Sequence, residues 1–511
     1  MLAKVWGAAT LGIDAVRIVI EVDGGSYTAQ PGFTLVGLPD AAVREAYSRV
    51  RSALHNCGLN LPPRHITVNL SPADVRKAGS GFDLPIAIGI LRALDFLTDE
   101  NVAGRVFVGE LSLDGTLTPV RGTLSISAAL AGDESIRELV VPAANGNEAA
   151  AVERTRVIGA QHLVVLLAHL RGQTLIAPAT STCSRESQTD FADFCDVRGQ
   201  AQAKRALEVA AAGGHNIMMI GPPGSGKTML AKRLASILPR LSPEEAIITT
   251  KVHSVAGTLP AGSGLLTRRP FRAPHHTIST AGMAGGGSMV RPGELSLAHH
   301  GVLFLDELPE FRRETLEAMR QPMEDGLVTI ARAARCVTFP SRFTLAAALN
   351  PCPCGFFNDG RRECVCSAQQ IARYLAKVSG PLLDRIDLQV EVRALTSEEI
   401  TGTEAAEGSA SIRDRVEAAR AIQRERFRRA KIQCNAEMSS RLMRRFCELD
   451  APSRSLLVSA IERLALSARA HDRILKVART VADLAGEERI GTAHLAEAVQ
   501  YRALDRAYFR G

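Results

Sequence analysis

One short segment restricts the fold of this 511-residue chain more than any other. An apolar run, Ile217–Ile220, is followed by residues 221–228 (GPPGSGKT) and then by a helix-like stretch over 229–238. A strand, then G-x-x-x-x-G-K-T, then a helix is the context in which this motif forms a phosphate-binding loop. Glycines let successive backbone N–H groups turn towards one phosphate, and the helix N-terminus adds its positive end. A glycine-rich structural turn is the alternative interpretation.

The residues of this loop have distinct expected roles. Lys227 is expected to place a point charge on the β- and γ-phosphates of a nucleotide, and the Thr228 hydroxyl to hold Mg²⁺. The predicted nucleotide-binding residues are Gly221, Pro222, Pro223, Gly224, Ser225, Gly226, Lys227 and Thr228.

Two further apolar runs end in polar residues. Residues 302–305 (VLFL) precede Asp306 and Glu307, and residues 345–349 (LAAAL) precede Asn350. Parallel sheets bind ligands at the carboxyl ends of their strands. Asp306 is therefore expected to bind Mg²⁺, Glu307 to polarise the attacking water, and Asn350 to orient that water. Two surface acids after a buried strand are the alternative for the carboxylates.

The composition limits the partners and the location of the chain. Lys and Arg number 61 and Asp and Glu 54, and the net charge of +7 permits a polyanionic partner without requiring one. Aromatic residues make up 4%, which disfavours a groove lined with base-stacking rings. Neither a run of 18 apolar residues nor a signal-peptide core is present, so we expect a cytoplasmic protein with no membrane partner.

The chain divides into regions of different pattern. Residues 1–176 predict an α/β domain, with strands over 15–22, 66–70, 106–113 and 139–141 and helices over 40–55 and 83–97. A polar linker is expected over 177–190 and an alternating strand–helix core over 191–394. The helix-rich remainder, 395–511, predicts helices over 412–431, 453–466, 471–484 and 492–501, the last capped by Thr492.

Four of the ten cysteines lie close together in the sequence, as Cys352, Cys354, Cys364 and Cys366. Four thiolates can close a tetrahedral site around a structural Zn²⁺. The C-x-C spacing is tighter than the usual C-x₂-C. Free reduced thiols and a redox or iron–sulfur role therefore stay open beside zinc.

Six segments together resemble the AAA+ ATPases of the magnesium-chelatase-like branch, and most closely the ComM/YifB family of bacterial competence-associated proteins. They are residues 196–211, 221–228, 271–276, 301–310, 350–355 and 379–387. The resemblance spans nearly the whole chain. It implies an α/β protein with a Lon-protease-like N-terminal domain, a P-loop AAA+ core with a parallel sheet, and a helical lid. It also implies a homo-oligomeric ring, usually a hexamer, with ATP at the subunit interfaces.

The resemblance assigns three further residues. Asn350 matches sensor 1, Arg385 matches the arginine finger that reaches into the neighbouring subunit, and Arg469 matches sensor 2 of the lid. A planar, permanently charged guanidinium suits the charge on a γ-phosphate in the transition state. For Arg385 the alternative is a structural salt bridge with Asp384 or Asp387. For sensor 2 the second candidate is Arg473.

Two segments resemble the insertions of this branch, 260–300 and the hairpin-like 326–339. In a ring such loops would line the pore and grip DNA phosphates. Solvated or interfacial side chains are the alternative for each residue. The predicted DNA contacts are Arg272, His275, His276, Arg332 and Arg335, and Arg268, Arg269 and Arg291 are further candidates. A basic helix over 412–431 could track a DNA backbone or be a solvated face.

The N-terminal domain resembles Lon without its catalytic pair. Phe82 occupies the place of the nucleophilic serine and Leu124 about that of the lysine, which implies a protease-dead scaffold for oligomerisation or DNA contact. A displaced dyad of Ser80 and Lys77 is the alternative.

The expected function follows from the resemblance. It is an ATP-dependent ring motor on single-stranded or branched DNA that drives branch migration and helps to integrate incoming DNA. The alternatives are a magnesium-chelatase motor subunit, a Lon-like protein-remodelling ATPase and a scaffold with regulatory ATPase activity.

Overall fold

The structure is a computed structural model that describes residues 1–73, 77, 79–181, 193–260, 262–287, 290–332, 335–360, 362–396, 398–399, 406–430, 432–464, 466–504 and 508. Residues 182–192, which include most of the predicted linker, lie outside this range.

The first part of the chain forms a mixed sheet in the order β3-β4-β2-β1-β5-β8-β9. Its strands, with a separate hairpin of β6 and β7, are β1 Leu2–Leu11, β2 Asp14–Asp23, β3 Phe33–Val36, β4 Ile66–Ser71, β5 Arg105–Phe107, β6 Glu110–Leu111, β7 Leu117–Thr118, β8 Glu138–Pro142 and β9 Val157–Ala160. Its helices are α1 Ala41–Arg44, α2 Ala46–Asn56, α3 Asp83–Ala93, α4 Asp99–Val102, α5 Thr123–Leu130, α6 Gly146–Ala149 and α7 Leu163–Leu170.

Each face of this sheet has its own apolar core. Helix α3 is buried along its entire length against β1 and β2. Gly89 permits this close packing, because a Cβ at that position would lie 2.6 Å from Cγ2 of Val22.

The second sheet is parallel, in the order β11-β14-β17-β10-β18. The strands of this region, including two small hairpins, are β10 Ile217–Ile220, β11 Phe271–Arg272, β12 Gly285–Gly286, β13 Arg291–Pro292, β14 Val302–Leu305, β15 Leu327–Arg332, β16 Arg335–Pro340, β17 Thr344–Leu349 and β18 Leu388–Glu391. Its helices are α8 Ala201–Gly213, α9 Lys227–Ile237, α10 Pro243–Ala256, α11 Thr280–Ala284, α12 Glu294–Leu297, α13 Arg313–Ala318, α14 Arg320–Asp325, α15 Ala368–Leu375 and α16 Gly380–Leu383.

The C-terminal helices are α17 Ser409–Arg426, α18 Ser440–Phe446, α19 Ala451–Leu464, α20 Ala468–Leu484 and α21 Thr492–Gln500. Short 3-10 helices span Ser80–Phe82, Ala143–Asn145, Phe194–Asp196, Leu308–Glu310 and Asn435–Glu437.

Alternating side chains of β10 lie in two different apolar cores, one on each face of the sheet. Ile217 and Met219 lie in the core that also takes in α8, α9 and the C-terminal helices, whereas Met218 and Ile220 lie in the core on the opposite face. The C-terminal helices thus share one continuous apolar core with the sheet face that carries Ile217 and Met219.

The two sheets are joined through α5 and α10. The hydroxyl of Ser254 accepts a hydrogen bond from the Gly122 N–H at 2.9 Å and donates to the carboxylate of Glu148. The same carboxylate oxygen accepts from the Leu124 N–H at 3.0 Å. Burial strengthens such a network and makes the loss of any partner costly.

Several strands and helices begin or end at residues other than those predicted from the sequence. The predicted strand over 106–113 is wrong beyond Phe107, because the chain leaves the sheet and starts the β6–β7 hairpin. The predicted helix over 83–97 ends at Ala93, and Asp95 follows with φ of 64°. Helix α17 ends at Arg426, five residues before the predicted end at Lys431, which lies outside the described residues. Thr492 is the first residue of α21, and Gly491 is its N-cap.

A search of the helices in the described ranges found none that combines the length and the apolar character needed to cross a membrane.

Candidate nucleotide-binding site

Three neighbouring strands end at one edge of the parallel sheet and bring the predicted nucleotide-site residues together. β10 pairs with β17, with Ile220 opposite Leu349, and β14 pairs with β17, with Leu305 opposite Ala347. The loop after β10 turns through Gly224 and Gly226, whose φ angles of 76° and 91° favour glycine. Helix α9 then begins at Lys227, so its positive end faces the loop.

Lys227 is buried beneath the loop. Its Nζ donates to the carbonyl oxygens of Gly221 at 2.7 Å and Pro222 at 2.9 Å, and to Oδ1 of Asn350 at 3.1 Å. Burial lowers the pKa of this ammonium to about 8, although the nearby Asp306 and Glu307 carboxylates act in the opposite direction. The cation thus lies at the point where the loop and the Asn350 strand end meet.

Thr228 and Asp306 place oxygen atoms side by side where they could bind a metal ion. The Thr228 hydroxyl donates to Oδ2 of Asp306 at 2.6 Å, and Oδ1 of Asp306 accepts from the Glu307 N–H at 3.0 Å. A hydroxyl and a carboxylate are the hard ligands that Mg²⁺ takes beside phosphate oxygens, so these residues fit that ion. When bound, Mg²⁺ would supply positive charge that offsets the negative charge of the nucleotide phosphates.

Glu307 has an unexpected neighbour. Its backbone has φ of 53°, and its Oε2 lies 3.7 Å from Nδ1 of His276. The His276 ring also lies 4.1 Å from the ring of His275 and 6.4 Å, edge-on, from that of Phe311. The sequence analysis placed His276 only among the DNA contacts. The strand order would have predicted this contact. His276 follows β11, and β11 pairs in parallel with the strand that precedes Glu307.

Two of the other candidate phosphate contacts in the first insertion are engaged within the chain. Arg272 makes a two-pronged ion pair with Glu294, with both N–O distances at 2.7 Å. Arg269 is largely buried and binds Glu245 together with the carbonyl oxygens of Pro239 and His300. Arg272 would have to break its ion pair with Glu294 before it could contact DNA. Arg269, in contrast, stabilises the fold through its buried contacts.

The second insertion forms the predicted hairpin. β15 and β16 pair along their whole length, and Arg332 pairs with Arg335 next to the turn. The side chains of these two arginines lie outside the described residues, so their contact with DNA stays a prediction.

Arg385 lies at the opposite edge of the sheet from the loop. It comes just before β18, whose first residue, Leu388, pairs in parallel with Ile217 at the start of β10. Lys227, in contrast, follows the end of β10. Because parallel strands share one direction, the two side chains belong to opposite edges, and Arg385 is remote from the loop of its own chain.

The side chain of Arg385 is held by groups that the sequence analysis did not name. Its Nη1 donates to the Pro381 carbonyl at 2.6 Å, its Nε to the Arg320 carbonyl at 3.1 Å, and its Nη2 pairs with Glu324. Arg385 does form a salt bridge, but its partner is Glu324. The predicted alternative partners, Asp384 and Asp387, are wrong.

The two sensor-2 candidates differ in exposure and contacts. Arg473 pairs with the buried carboxylate of Asp387, which also lies 3.5 Å from Nδ1 of His215. Arg469 is 62% exposed and lies 3.8 Å from Asp384. Arg473 therefore serves as a partner for a buried acid, whereas Arg469 remains accessible.

The basic helix α17 uses several arginines to attach itself to the core. Arg415 pairs with Glu208 at 2.5 Å, Arg420 donates to the Ala211 carbonyl at 3.0 Å, and Arg426 pairs with Asp483 at 2.5 Å. Arg424, Arg428 and Arg429 remain exposed. Arg413 also donates to the Ser236 carbonyl at 2.9 Å, so four of the eight basic residues over 412–431 contact the rest of the protein.

The four clustered cysteines converge in space. Their Sγ atoms all lie within 4.8 Å of one another. A backbone hydrogen bond from Phe356 lowers the pKa of the Cys354 thiol to about 6, with smaller contributions from the side chains of Cys352 and Cys366 and the backbone of Val365, although burial acts in the opposite direction. The cluster follows Asn350 directly, beside the nucleotide site.

The Lon-like positions lie in the buried part of the first domain. Phe82 precedes the first residue of α3, and Leu124 is buried in α5. Lys77 is fully buried and donates to the Pro72 carbonyl. The Ser80 side chain lies outside the described residues, so the displaced dyad is not tested.

A phosphate loop, an acidic pair and an asparagine on adjoining parallel strands define a P-loop ATPase of the AAA+ class. Three family models match the chain: "Magnesium chelatase, subunit ChlI" over residues 193–400, "Subunit ChlI of Mg-chelatase" over 20–145, and "Magnesium chelatase, subunit ChlI C-terminal" over 406–502. The chain belongs to the ComM/YifB family of magnesium-chelatase-like proteins.

Two bacterial relatives match over almost their full length, and a third protein matches over a part. The chain is 46% identical to Competence protein ComM of Haemophilus influenzae, with 99% of the chain and 98% of that protein covered. It is 44% identical to the uncharacterised protein YifB of Salmonella typhimurium, with the same coverage. A DNA replication licensing factor of Caenorhabditis elegans is 30% identical over 30% of the chain and 18% of its own length.

Proposed function

We propose that this protein is an ATP-driven ring motor that acts on single-stranded or branched DNA. The observation that carries the ATPase part is the meeting of Lys227, Thr228, Asp306 and Asn350 at one sheet edge. The DNA part is supported by the full-length similarity to a protein named for competence and by the partial similarity to a replication licensing factor.

The residues at the sheet edge divide the work of ATP hydrolysis. Lys227 binds the β- and γ-phosphates, and Thr228 and Asp306 hold Mg²⁺. Glu307 polarises the attacking water, and Asn350 orients it. The contact between Lys227 and Asn350 would give way to the γ-phosphate, which presents oxygens to both side chains.

The ring is proposed to be a hexamer with ATP between subunits. Arg385 acts as the arginine finger, since its place at the opposite sheet edge keeps it away from the nucleotide of its own chain. To reach the nucleotide of a neighbour, its guanidinium would have to release Glu324 and the Pro381 and Arg320 carbonyl oxygens. Arg469 serves as sensor 2, an assignment favoured over Arg473 by its exposed guanidinium.

The proposed domains follow the sequence division. Residues 1–176 form a Lon-like, protease-dead scaffold, 177–190 a linker, 191–394 the AAA+ core and 395–511 the lid. The scaffold serves ring assembly or DNA contact.

DNA is proposed to pass through the pore and to be gripped by its phosphates. Arg332 and Arg335 at the tip of the second hairpin, with Arg272, His275 and His276, are the candidate contacts. Charge without aromatic stacking favours backbone gripping over base readout. Branch migration that helps to integrate incoming DNA is the reaction that suits such a motor in a competence-related protein.

The ATPase part is tested by steady-state hydrolysis with and without forked or single-stranded DNA. We expect Mg²⁺-dependent turnover that DNA stimulates, and loss of turnover in Lys227→Ala. A control, Lys232→Ala, changes a lysine of the same helix outside the loop and should keep the wild-type rate. Normal ATPase activity in Lys227→Ala would overturn the assignment.

The motor part is tested on three-way and four-way junctions with labelled strands. We expect ATP-dependent strand displacement by the wild type and none by Lys227→Ala. An assembled, ATP-hydrolysing ring that leaves every junction intact would count against the proposal.

A magnesium-chelatase motor subunit is the second candidate, favoured by the names of all three matching family models. It predicts ATP-dependent insertion of Mg²⁺ into a porphyrin with partner subunits. Absence of DNA stimulation together with porphyrin metallation would favour this candidate. Casein cleavage lost in Ser80→Ala would instead favour a Lon-like protein-remodelling ATPase.

A further inference from the structure

The four cysteines approach the geometry of a single-ion site. The Sγ distances are 3.3 Å from Cys352 to Cys354, 3.7 Å from Cys352 to Cys364 and 3.6 Å from Cys354 to Cys364. Four thiolates about 2.3 Å from a tetrahedral Zn²⁺ have sulfurs roughly 3.8 Å apart. The fourth sulfur, of Cys366, lies 3.4 Å from the N–H of Cys354, a contact typical of metal-bound thiolates.

The same Sγ–Sγ distances distinguish a single-ion site from a disulfide and from a cluster of several irons. A disulfide requires two sulfurs about 2.05 Å apart and leaves the other two unassociated, whereas here three mutual distances are nearly equal. A cluster of several irons would hold its cysteine sulfurs farther apart than the 4.8 Å within which all four lie. The closed set of four sulfurs suits one soft tetrahedral ion.

The cysteine turn packs against the phosphate-binding loop. Gly355, at the end of the turn that begins at Cys352, has φ of 86°, and its N–H donates to the Cys352 carbonyl at 3.0 Å. A Cβ added to Gly355 would lie 2.4 Å from Cδ and 2.7 Å from Cγ of Pro223. The turn therefore fits the loop only because residue 355 carries no side chain.

A cavity also lies between the loop and the cysteine segment. This cavity of about 230 Å³ is bounded by Gly221 and Pro222 of the loop and by Pro351, Phe357 and Asn358 of the cysteine segment. The segment between the two cysteine pairs thus lies next to the start of the phosphate-binding loop.

We propose that Cys352, Cys354, Cys364 and Cys366 bind one structural Zn²⁺, and that this ion braces the phosphate-binding loop for nucleotide through the Gly355–Pro223 contact. The role of the ion rests on the proposed ATPase function. The metal site itself does not.

The need for an ion follows from the local sequence. Over the described residues between β17 and α15 the chain forms neither helix nor strand, and its length exceeds that of an ordinary connection. Metal–thiolate bonds supply folding free energy to such segments. Without the ion, the turn that supports Pro223 would lose its fixed shape.

The first experiment measures metal content of the full chain purified without chelator. Elemental analysis should find about one zinc per chain, with no stoichiometric iron. The double variant Cys364→Ser/Cys366→Ser should lose the zinc, and Cys336→Ser, which changes an exposed cysteine of the hairpin, should keep it. A wild type with less than a tenth of an equivalent, or with iron in place of zinc, would overturn the site.

The second experiment measures binding of a fluorescent ATP analogue to the zinc-loaded and zinc-depleted full chain. Depletion should weaken binding at least tenfold, and added Zn²⁺ should restore it. Unchanged affinity in the depleted protein would overturn the bracing role.

A matched pair of glycine variants separates bracing from folding. Gly355→Ala should keep its zinc but bind the analogue at least fivefold more weakly, because its Cβ meets Pro223. Gly360→Ala imposes similar backbone strain, with φ of 70°, but its Cβ would meet nothing within 4 Å, so its affinity should stay near wild type. Equal affinities for the two variants would contradict the contact.

The outcomes distinguish the two hypotheses. Zinc in a protein that binds no nucleotide would leave the site standing and remove both the proposed function and the bracing role. Nucleotide binding that is independent of zinc would leave the proposed function standing and remove this inference.

Discussion

Among single residues, Glu307 is the proposed water-polarising glutamate whose neighbour the sequence did not predict. Such a glutamate must point at the γ-phosphate, and here its carboxylate lies beside the His276 ring, which is packed on His275 and Phe311. We therefore infer that His276 positions the carboxylate.

We expect His276→Ala to lower kcat for ATP about tenfold and to leave KM within twofold. The loss of one orienting contact corresponds to roughly 1.4 kcal/mol of transition-state stabilisation, and nucleotide binding by the loop is untouched. Steady-state kinetics of the two proteins measure this. His55→Ala is the control, because His55 is an exposed histidine of α2 that bonds Asn60 at 3.0 Å. A change in KM alone would contradict a positioning role.

A second residue-level prediction concerns acid stability. Burial lowers the pKa of His299 to about 2, and its Nδ1 accepts a hydrogen bond from the Arg342 N–H at 3.0 Å, as only a neutral ring can. Above pH 6.5 the ring is neutral in both folded and unfolded chains. Below pH 6.5 the ring takes up a proton in the unfolded chain but stays neutral in the folded chain. The free energy of unfolding therefore decreases as the pH is lowered.

We therefore expect the wild type to lose about 1.4 kcal/mol of unfolding free energy relative to His299→Asn between pH 7.5 and pH 5.5. Asparagine can accept the same Arg342 hydrogen bond but does not titrate. Urea unfolding at the two pH values measures the difference. An equal loss in both proteins would show that His299 is not the responsible group.

At the scale of helices and strands, the sequence predicted what local patterns encode. β10, β14 and β17 are short apolar runs; β14 and β17 are each followed by a polar site residue, and the G-x-x-x-x-G-K-T motif after β10 places α9. The 326–339 hairpin is confirmed because its alternation has period two. The break of the 106–113 strand could not be read locally, since the pairing of β6 with β7 decides it.

The sequence also predicted the site residues that local patterns mark, but not their tertiary partners. The sequence identified Lys227, Thr228, Asp306 and Asn350 because each lies within or directly after a recognisable element. It missed the partners that depend on tertiary packing. Glu324 beside Arg385, Glu294 beside Arg272 and Pro223 beside Gly355 come from distant parts of the chain.

The β15–β16 hairpin carries an element-level prediction. In Arg332→Ala/Arg335→Ala we expect the stimulation of ATPase by single-stranded DNA to fall at least fivefold, because two phosphate-binding charges are lost at the turn. The rate without DNA should stay within twofold, since the hairpin is separate from the sheet that holds the site. Thr329→Ala, farther from the turn, is the control. Full stimulation in the double variant would contradict DNA contact by the hairpin.

For the whole molecule, the position of Arg385 at the sheet edge opposite Lys227 makes a test of assembly. Lys227→Ala rings and Arg385→Ala rings should each be inactive. Mixed and reassembled in equal amounts, about a quarter of their interfaces would join an intact loop to an intact Arg385, and ATPase activity should reappear.

The control mixes Lys227→Ala with the double variant Lys227→Ala/Arg385→Ala, which cannot form an intact interface and should stay inactive. If the first mixture also stays inactive, Arg385 acts only within its own chain, where it holds Glu324 and the Arg320 carbonyl.

The apolar core that joins the parallel sheet to the C-terminal helices bears on how the chain is made. Strand β10 packs against α8, and α8 in turn packs against α17 and α20, which are translated late. During synthesis the nascent chain therefore exposes the apolar surface of α8 until its final helices emerge, and chaperones are expected to bind that surface. A stop codon placed before α17 would release a chain that contains the whole phosphate-binding loop but leaves this surface of α8 uncovered.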